Sequence, residues 1–152
     1  MLDNGEYKLA SEITLPNNLD RLKPYTFAGF NIEKLNLPKN IIIYGDNAFK
    51  GSSVENIYFY GNISDWCNIK FENMTSSPVF ETTQIYTYEQ ENMFTPLGDT
   101  LYIPSNVYYI SDFQFSNFAM VDKIILPNSI KRIGKYAFTL KVDINDKINN
   151  DI

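Results

Sequence analysis

Few residues of this chain could carry out chemistry, because the sequence contains a single cysteine, Cys67, and no histidine. Without histidine, neither the Ser/His/Asp nor the Cys/His arrangement that activates a nucleophile can form, and the usual imidazole ligands of zinc are missing. Cys67 follows Asp65 and Trp66, and a thiol without a basic neighbour is more often a small buried hydrophobic group than a nucleophile. The sequence contains a repeated hydrophobic pattern, described below, and Trp66 falls on one of its apolar positions. This favours core packing for Asp65, Trp66 and Cys67.

Carboxylates offer the remaining routes to catalysis or metal binding. Glu89 and Glu91 lie in a polar EQEN segment that we interpret as a solvated turn, whereas a glycosidase pair would need a cleft. The interleaved spacing and turn glycine of a calcium loop are not matched by the C-terminal aspartates Asp143, Asp146 and Asp151. We therefore expect no catalytic residue, no metal ligand and no cofactor.

Two asparagines, Asn62 and Asn73, match the acceptor pattern for N-glycosylation. The pattern matters only if the chain passes through a eukaryotic secretory route, and an asparagine-rich chain produces such matches by accident. Glycosylation at these positions is left open.

Composition predicts a folded chain with an acidic surface. The 152 residues are 44% hydrophobic and 20% charged, which suits one domain or one short repeat array with a real core. The net charge of −5 argues against binding to a nucleic-acid backbone. No segment approaches the roughly 18 apolar residues of a membrane span, and the first residues lack the pattern of a signal peptide. We expect neither nucleic-acid binding nor membrane insertion.

One hydrophobic pattern recurs in four segments, ITLPNNLDRLKPYTF, LNLPKNIIIYGDNAF, LYIPSNVYYISDFQF and IILPNSIKRIGKYAF. Their prolines, spaced by 22, 66 and 23 residues, are Pro16, Pro38, Pro104 and Pro127. A phenylalanine follows each proline by eleven residues, at Phe27, Phe49, Phe115 and Phe138. Because 66 is three times 22, the spacing predicts two further repeats between the second and third segments.

The first of these repeats places Tyr60 in the proline position, after the apolar residues Ile57 and Phe59. Trp66 and Phe71 then fall six and eleven residues after Tyr60. The second repeat is expected near Thr82 and is irregular. Its alternating run IYTY, polar EQEN and following Met-Phe pair predict a hairpin-like elaboration that occupies one coil.

Each repeat should form a short strand that ends at proline, a second short extended piece, a polar turn and about one helical turn ending at the phenylalanine. Stacked repeats of this kind predict an α/β-type, right-handed solenoid of about six coils with short parallel strands and one irregular coil or hairpin near the middle. We expect an N-terminal cap over 1–12, the solenoid over 13–140 with an irregular segment at 65–96, and a polar tail or cap over 141–152.

The segment LPNSIKRIGKYAF, from Leu126 to Phe138, resembles the signature of BspA-type leucine-rich repeats, and the resemblance extends over about 13–140. The segment 58–80 also resembles an irregular repeat variant of that family. Three places after each phenylalanine, where the family often has a small residue or cysteine, this chain has Phe30, Ser52, Phe118 and Lys141. The resemblance implies a leucine-rich-repeat solenoid and an extracellular or cell-surface protein of a bacterium or microbial eukaryote, or a virion appendage.

A ligand is most simply accommodated on the outward side of the first strand of each coil, because side chains alternate along a strand. Residues two places before the proline position are Thr14, Asn36, Tyr58, Tyr102 and Ile125. Residues four places before it include Lys34, Asn56 and Lys123, together with Glu12 and Thr100. Tyr58 and Tyr102 are the expected anchors, since tyrosine combines a large rigid area with a polar tip.

Three functions follow in order of preference. The first is a non-catalytic interaction or adhesion module whose outward row binds a protein or a glycan. The alternative is a structural or assembly element without a ligand of its own, which should expose apolar groups at its end coils and not along the strands. A glycan-active enzyme with a pocket in the irregular segment 65–96 is the remote third.

Overall fold

The computed structural model describes residues 2–3, 6–7 and 9–140, with side chains described from residue 9 onwards. The strands in chain order are β1 (Leu2–Asp3), β2 (Glu6–Tyr7), β3 (Leu9–Thr14), β4 (Arg21–Leu22), β5 (Asn31–Pro38), β6 (Ile43–Tyr44), β7 (Ser53–Tyr60), β8 (Lys70–Phe71), β9 (Gln84–Gln90), β10 (Met93–Pro96), β11 (Thr100–Tyr102), β12 (Tyr109–Ile110), β13 (Lys123–Ile125) and β14 (Arg132–Ile133). The helices of the described part are α1 (Ile63–Trp66) and a single 3₁₀ turn (Met74–Ser76).

The predicted solenoid of about six coils is confirmed. Most coils contribute one front strand and one back strand: β3 and β4 form coil 1, β5 and β6 coil 2, β7 and β8 coil 3, β11 and β12 coil 5, and β13 and β14 coil 6. Coil 4 consists of β9 and β10, which pair antiparallel and confirm the predicted hairpin. The front strand of coil 1 begins at Leu9, inside the segment expected to be a cap, whereas 141–152 lies outside the described residues.

The front sheet has the order β10-β9-β7-β5-β3, and its register reproduces the sequence repeat. Pro38 pairs with Tyr60, so tyrosine does take the proline position in coil 3. The position predicted for the next repeat is wrong, because Ile57 pairs with Ile85, 28 residues later. The residue equivalent to Tyr60 is therefore Tyr88 and not Thr82.

Extra residues in coil 3 cause this shift. Asn62 caps α1 through a reciprocal pair of hydrogen bonds, in which Asp65 N–H donates to Asn62 Oδ1 (3.0 Å) and Asn62 N–H to Asp65 Oδ2 (2.9 Å). Because α1 lengthens the coil, Phe71 pairs with Tyr44 in the back strands. Phe71 therefore does not occupy the position of the repeated phenylalanines, although it lies eleven residues after Tyr60.

The segment before each phenylalanine is built from consecutive tight turns, and a short α-helix is found only in coil 3 among the described residues. Nine places after each proline, the backbone has a positive φ of 54° to 62°, at Tyr25, Asn47, Phe113 and Tyr136. This left-handed conformation is uncommon for aromatic residues, and it reverses the chain direction within each coil.

The core runs along the inside of the stacked coils. Leu35, Ile57 and Phe59 point inward from the front strands and are fully buried. The repeated phenylalanines stack in register, with ring centroids 5.4 Å apart for Phe27 and Phe49 and 5.7 Å apart for Phe115 and Phe138. A single coil cannot bury its own apolar side, so this stacking stabilises the fold.

Candidate binding surface on the front sheet

The outward side of the front strands carries the row that the sequence predicted to face a ligand. Five of these outward residues are exposed: Glu12, Thr14, Tyr102, Lys123 and Ile125. Four are half-buried: Lys34, Asn56, Tyr58 and Thr100.

The prediction that Asn36 is available to a ligand is wrong, because its side chain is buried. Asn36 lies between Thr14 and Tyr58 in the register of the sheet. Its Nδ2 group donates to Glu12 Oε2 (2.8 Å) and to Thr14 Oγ1 (3.0 Å). The amide therefore joins coil 1 to coil 2, and its Nδ2 group donates inside the protein.

Five rings from coils 3 and 4 meet on this outward side, and we call them the aromatic cluster: Tyr58, Tyr60, Tyr86, Tyr88 and Phe94. Tyr58 stacks on Tyr86 with centroids 4.4 Å apart and an interplanar angle of 8°. Phe94 of β10 lies at the centre, with its ring centroid 4.9 to 5.2 Å from those of Tyr58, Tyr60 and Tyr88. The hairpin thus folds an apolar ring over two neighbouring columns of tyrosine.

The hairpin turn is held in place by the cluster itself. The hydroxyl group of Tyr88 accepts a hydrogen bond from the main-chain N–H of Asn92 (2.8 Å), a residue with a φ of 61° in the tight turn between β9 and β10. Fixing this turn positions Phe94, so the outward rings are ordered before any partner arrives.

One charged group lies against the cluster. The Nζ atom of Lys34 lies 4.5 Å from the ring centroid of Tyr58 and 3.7 Å from Glu12 Oε2. Because Lys34 belongs to β5 and Tyr86 to β9, they approach Tyr58 from opposite sides, and both faces of this ring are occupied. A shallow cleft of about 370 Å³ adjoins Tyr60 and Tyr88 and is lined on its other side by Pro38, Lys39 and Asn40.

The structure brings Tyr58 into this surface but not Tyr102, the second expected anchor. Tyr102 is 68% exposed and lies beside Ile125 in the separate two-stranded sheet of β11 and β13. Sequence reasoning missed Tyr86, Tyr88 and Phe94, because it placed the fourth repeat at Thr82. The signal was present, since the alternation in IYTY sets both tyrosines opposite the buried Ile85 and Thr87.

Three of the side chains that the sequence suggested for chemistry are either packed in the protein or hydrogen-bonded within it. Trp66 is buried against Phe59, Phe71 and Phe118, as expected for a core residue. Burial raises the pKa of the Cys67 thiol to about 12, so the thiol stays protonated at neutral pH. The side chain of Glu89 accepts a hydrogen bond from the Thr87 hydroxyl group (2.9 Å) at the exposed end of β9.

Both glycosylation candidates lie among the described residues, whereas the C-terminal aspartates considered as metal ligands do not. Among the described residues, no cluster of three or more cysteine and carboxylate side chains is arranged to hold a metal ion. The candidates Asp143, Asp146 and Asp151 lie outside these residues. Asn73 uses Nδ2 to donate to Asp46 and to Asn47 Oδ1 (3.1 Å), whereas Asn62 caps α1 through Oδ1.

Comparison with known families decides the identity of the repeat. Six copies of the BspA-type leucine-rich repeat region match the sequence, over residues 6–97 and 83–150. The chain belongs to the BspA-type leucine-rich repeat family. No curated protein matches the chain significantly.

A solved structure offers a further comparison for this BspA-type chain. A leucine-rich repeat protein from Eubacterium ventriosum ATCC 27560 is similar over 90% of this chain and 47% of its own length, with 14% sequence identity and a TM-score of 0.47. The chain therefore spans about half the length of that protein. Within the described residues, no helix has the length and apolar character needed to cross a membrane.

Proposed function

We propose that this BspA-type repeat chain is a non-catalytic adhesion module at the cell surface or in the extracellular space, and that its aromatic cluster binds a protein partner. The observation that carries the proposal is the convergence of five rings on the outward side of the front sheet, centred on Phe94. Tyrosine-rich patches supply rigid contact area at low entropic cost and are enriched among the residues that dominate binding energy.

A protein partner fits this surface better than a sugar that stacks on a flat ring. Both faces of Tyr58 are occupied, so its hydroxyl group and ring edge are the parts left for contact. Tyr60 is 44% exposed beside the cleft that Pro38 and Asn40 line, which offers space for an inserted side chain. Ring edges, hydroxyl groups and one shallow cleft are features of protein interfaces with a polar rim.

The test is a screen of the purified chain against extracellular-matrix proteins and, in parallel, a glycan array. For any partner found, Tyr60→Ala is compared with Tyr102→Ala, the same substitution at an exposed tyrosine outside the cluster. We expect Tyr60→Ala to weaken binding about tenfold or more and Tyr102→Ala to leave it unchanged, since central aromatic contacts dominate interfaces. Equal effects of the two substitutions, binding to glycans alone, or no binding by the folded chain would overturn the proposal.

A second function, assembly with a neighbouring structural unit, is favoured by the exposed side chains of coil 6. Coil 6 exposes the apolar side chains of Leu126 (37%) and Ile133 (47%), whereas Ile103 and Ile110, at the equivalent positions of coil 5, are buried. This is the pattern expected of a repeat that docks onto a neighbouring structural unit. Sedimentation velocity of the wild type and of Ile133→Asp tests it: concentration-dependent association that the substitution abolishes supports assembly, and a monomer at all concentrations contradicts it.

A further inference from the structure

The back strands of the solenoid are interrupted where coil 4 folds as a hairpin. They form one sheet with the order β4-β6-β8 and a second sheet of β12 and β14. Coil 4 supplies β9 and β10 to the front sheet, and its residues contribute no described strand to the back. The ladder of back strands is therefore interrupted between β8 and β12.

Both strands that border the gap direct main-chain groups into it. Lys70 and Glu72 donate their N–H groups to Ile42 and Tyr44 carbonyls at 2.8 and 3.2 Å, which lie on the β6 side. Because successive residues of a strand point to opposite sides, the intervening residue Phe71 directs its N–H and C=O groups towards β12.

The same reasoning applies to the other border. The carbonyl oxygens of Tyr108 and Ile110 accept from Lys131 N–H (2.8 Å) and Gly134 N–H (2.7 Å) of coil 6. Tyr109, between them, therefore directs its N–H and C=O groups towards β8. β8 and β12 thus each present a sheet edge with a donor and an acceptor that the neighbouring back strand does not use.

An open cleft separates the edges. Its volume is about 360 Å³, within the range of ligand sites, and its lining includes Phe71 of β8 and Tyr109 of β12. The inner side of the gap is closed by a buried hydrogen-bond network, in which Trp66 Nε1 donates to Gln114 O (2.9 Å) and Gln114 Nε2 to Ile69 O (3.0 Å). A ligand would lie on a closed floor, between the two edges.

The charge around the cleft is positive although the chain is acidic. Lys70 and Arg132 line it together with one carboxylate, Asp112, which already accepts a hydrogen bond from Lys135 N–H (3.0 Å). The guanidinium group of Arg132 lies 4.8 Å from the ring centroid of Tyr109, beside the edge of β12. Two cations next to unpaired main-chain groups favour a ligand with both an extended backbone and acidic side chains.

We propose that an extended acidic segment of a partner protein adds as a strand in the gap between β8 and β12. The segment completes the back ladder with main-chain hydrogen bonds to Phe71 and Tyr109, and its acidic side chains approach Lys70 and Arg132. This site lies on the back of the solenoid and does not depend on the aromatic cluster.

The probe is an acetylated and amidated pentapeptide of alternating aspartate and valine, titrated into the isotope-labelled chain and followed by NMR. We expect saturable shifts and slowed hydrogen exchange at the Phe71 and Tyr109 amides. A peptide of the same sequence with N-methylated alternate amides should not bind, because it lacks the donors that a strand needs. Binding of both peptides with equal affinity, or no shift at either amide at millimolar peptide, would overturn the proposal.

Charge variants give an independent readout. Lys70→Ala/Arg132→Ala should raise the dissociation constant of the peptide about fivefold, since two exposed charge pairs are lost. The matched control Lys39→Ala/Lys131→Ala removes the same charge from exposed positions that do not line the cleft. Equal weakening in both double variants would show that binding follows net charge, which contradicts strand addition at this gap.

Discussion

Replacement of Gln114 by methionine should destabilise the joint between coils 3 and 5. Gln114 is fully buried, and its Nε2 group donates to the carbonyl oxygens of Trp66 (2.8 Å) and Ile69 (3.0 Å). Its Oε1 atom accepts from Ser111 N–H (3.2 Å). Methionine keeps the length and flexibility of the side chain, so the substitution removes these hydrogen bonds with little change in packing.

The magnitude follows from the groups left without a partner. The Trp66 carbonyl keeps Ile69 N–H as a donor at 3.0 Å, so it stays satisfied. The Ile69 carbonyl loses the amide that reaches it, and the half-buried Ser111 N–H can turn to water. One orphaned buried carbonyl costs about 1–3 kcal/mol, and the lost bond to Ser111 adds about 0.5–1 kcal/mol. We therefore expect the free energy of unfolding to fall by about 1.5–4 kcal/mol.

The assay is equilibrium unfolding in urea, followed by the fluorescence of Trp66, the single tryptophan of the chain. Asn106→Ala is the control, because Asn106 is exposed and its amide donates only to the Ser64 hydroxyl group (2.9 Å) across the same two coils. The control should change stability by less than about 1 kcal/mol. A loss below about 0.5 kcal/mol in Gln114→Met, typical of surface substitutions, would refute the role of Gln114 as the bridge between these coils.

Three further substitutions or modifications test the fold. Phe49→Ala should cost about 3–5 kcal/mol and Tyr102→Ala less than about 0.5 kcal/mol in urea unfolding; similar losses at both would contradict the assignment of core and surface. Gly45→Ala should cost about 1–3 kcal/mol, because a Cβ atom would lie 2.6 Å from Leu22 O, whereas Gly98→Ala, with no atom within 4 Å, should be neutral in thermal unfolding. Alkylation of Cys67 should be at least about a hundredfold slower in the folded chain than in urea at pH 8, and should accelerate towards the raised pKa of about 12; equal rates would show an accessible thiolate.

The fold was predictable where aliphatic residues recur at a fixed spacing. Ile13, Leu35 and Ile57 occupy equivalent positions and set the register of β3, β5 and β7. A shift of one residue in the pairing of these strands would turn their core side chains outward. Prediction failed after Tyr60, where α1 and the 3₁₀ turn lengthen the coil. The spacing of apolar residues in this segment does not indicate how many residues are added. The turns were also missed, since a positive φ at Tyr25 or Phe113 contradicts the usual preference for glycine or asparagine.

The candidate surface was predictable only in outline. Tyr58 could be placed outward by alternation, but the rings that complete the cluster come from a hairpin whose register the repeat does not determine. The burial of Asn36 depends on hydrogen bonds to Glu12 and Thr14, two residues 24 and 22 positions earlier in the chain. Such cross-coil contacts follow from the stacking of coils and have no signature within one repeat.

The aromatic cluster and the back gap have a common structural cause in coil 4. A regular coil would place one strand in front and one behind, whereas the hairpin places β9 and β10 in the front sheet. In front, the extra strand brings Phe94 onto the tyrosine columns; behind, the missing strand leaves the edges of β8 and β12 unpaired. Replacing the hairpin with a regular repeat should therefore remove the aromatic cluster and close the back gap together. If a chain redesigned in this way still bound a front partner or the acidic peptide, that binding would not depend on the irregular coil, and the reasoning would be wrong for that surface.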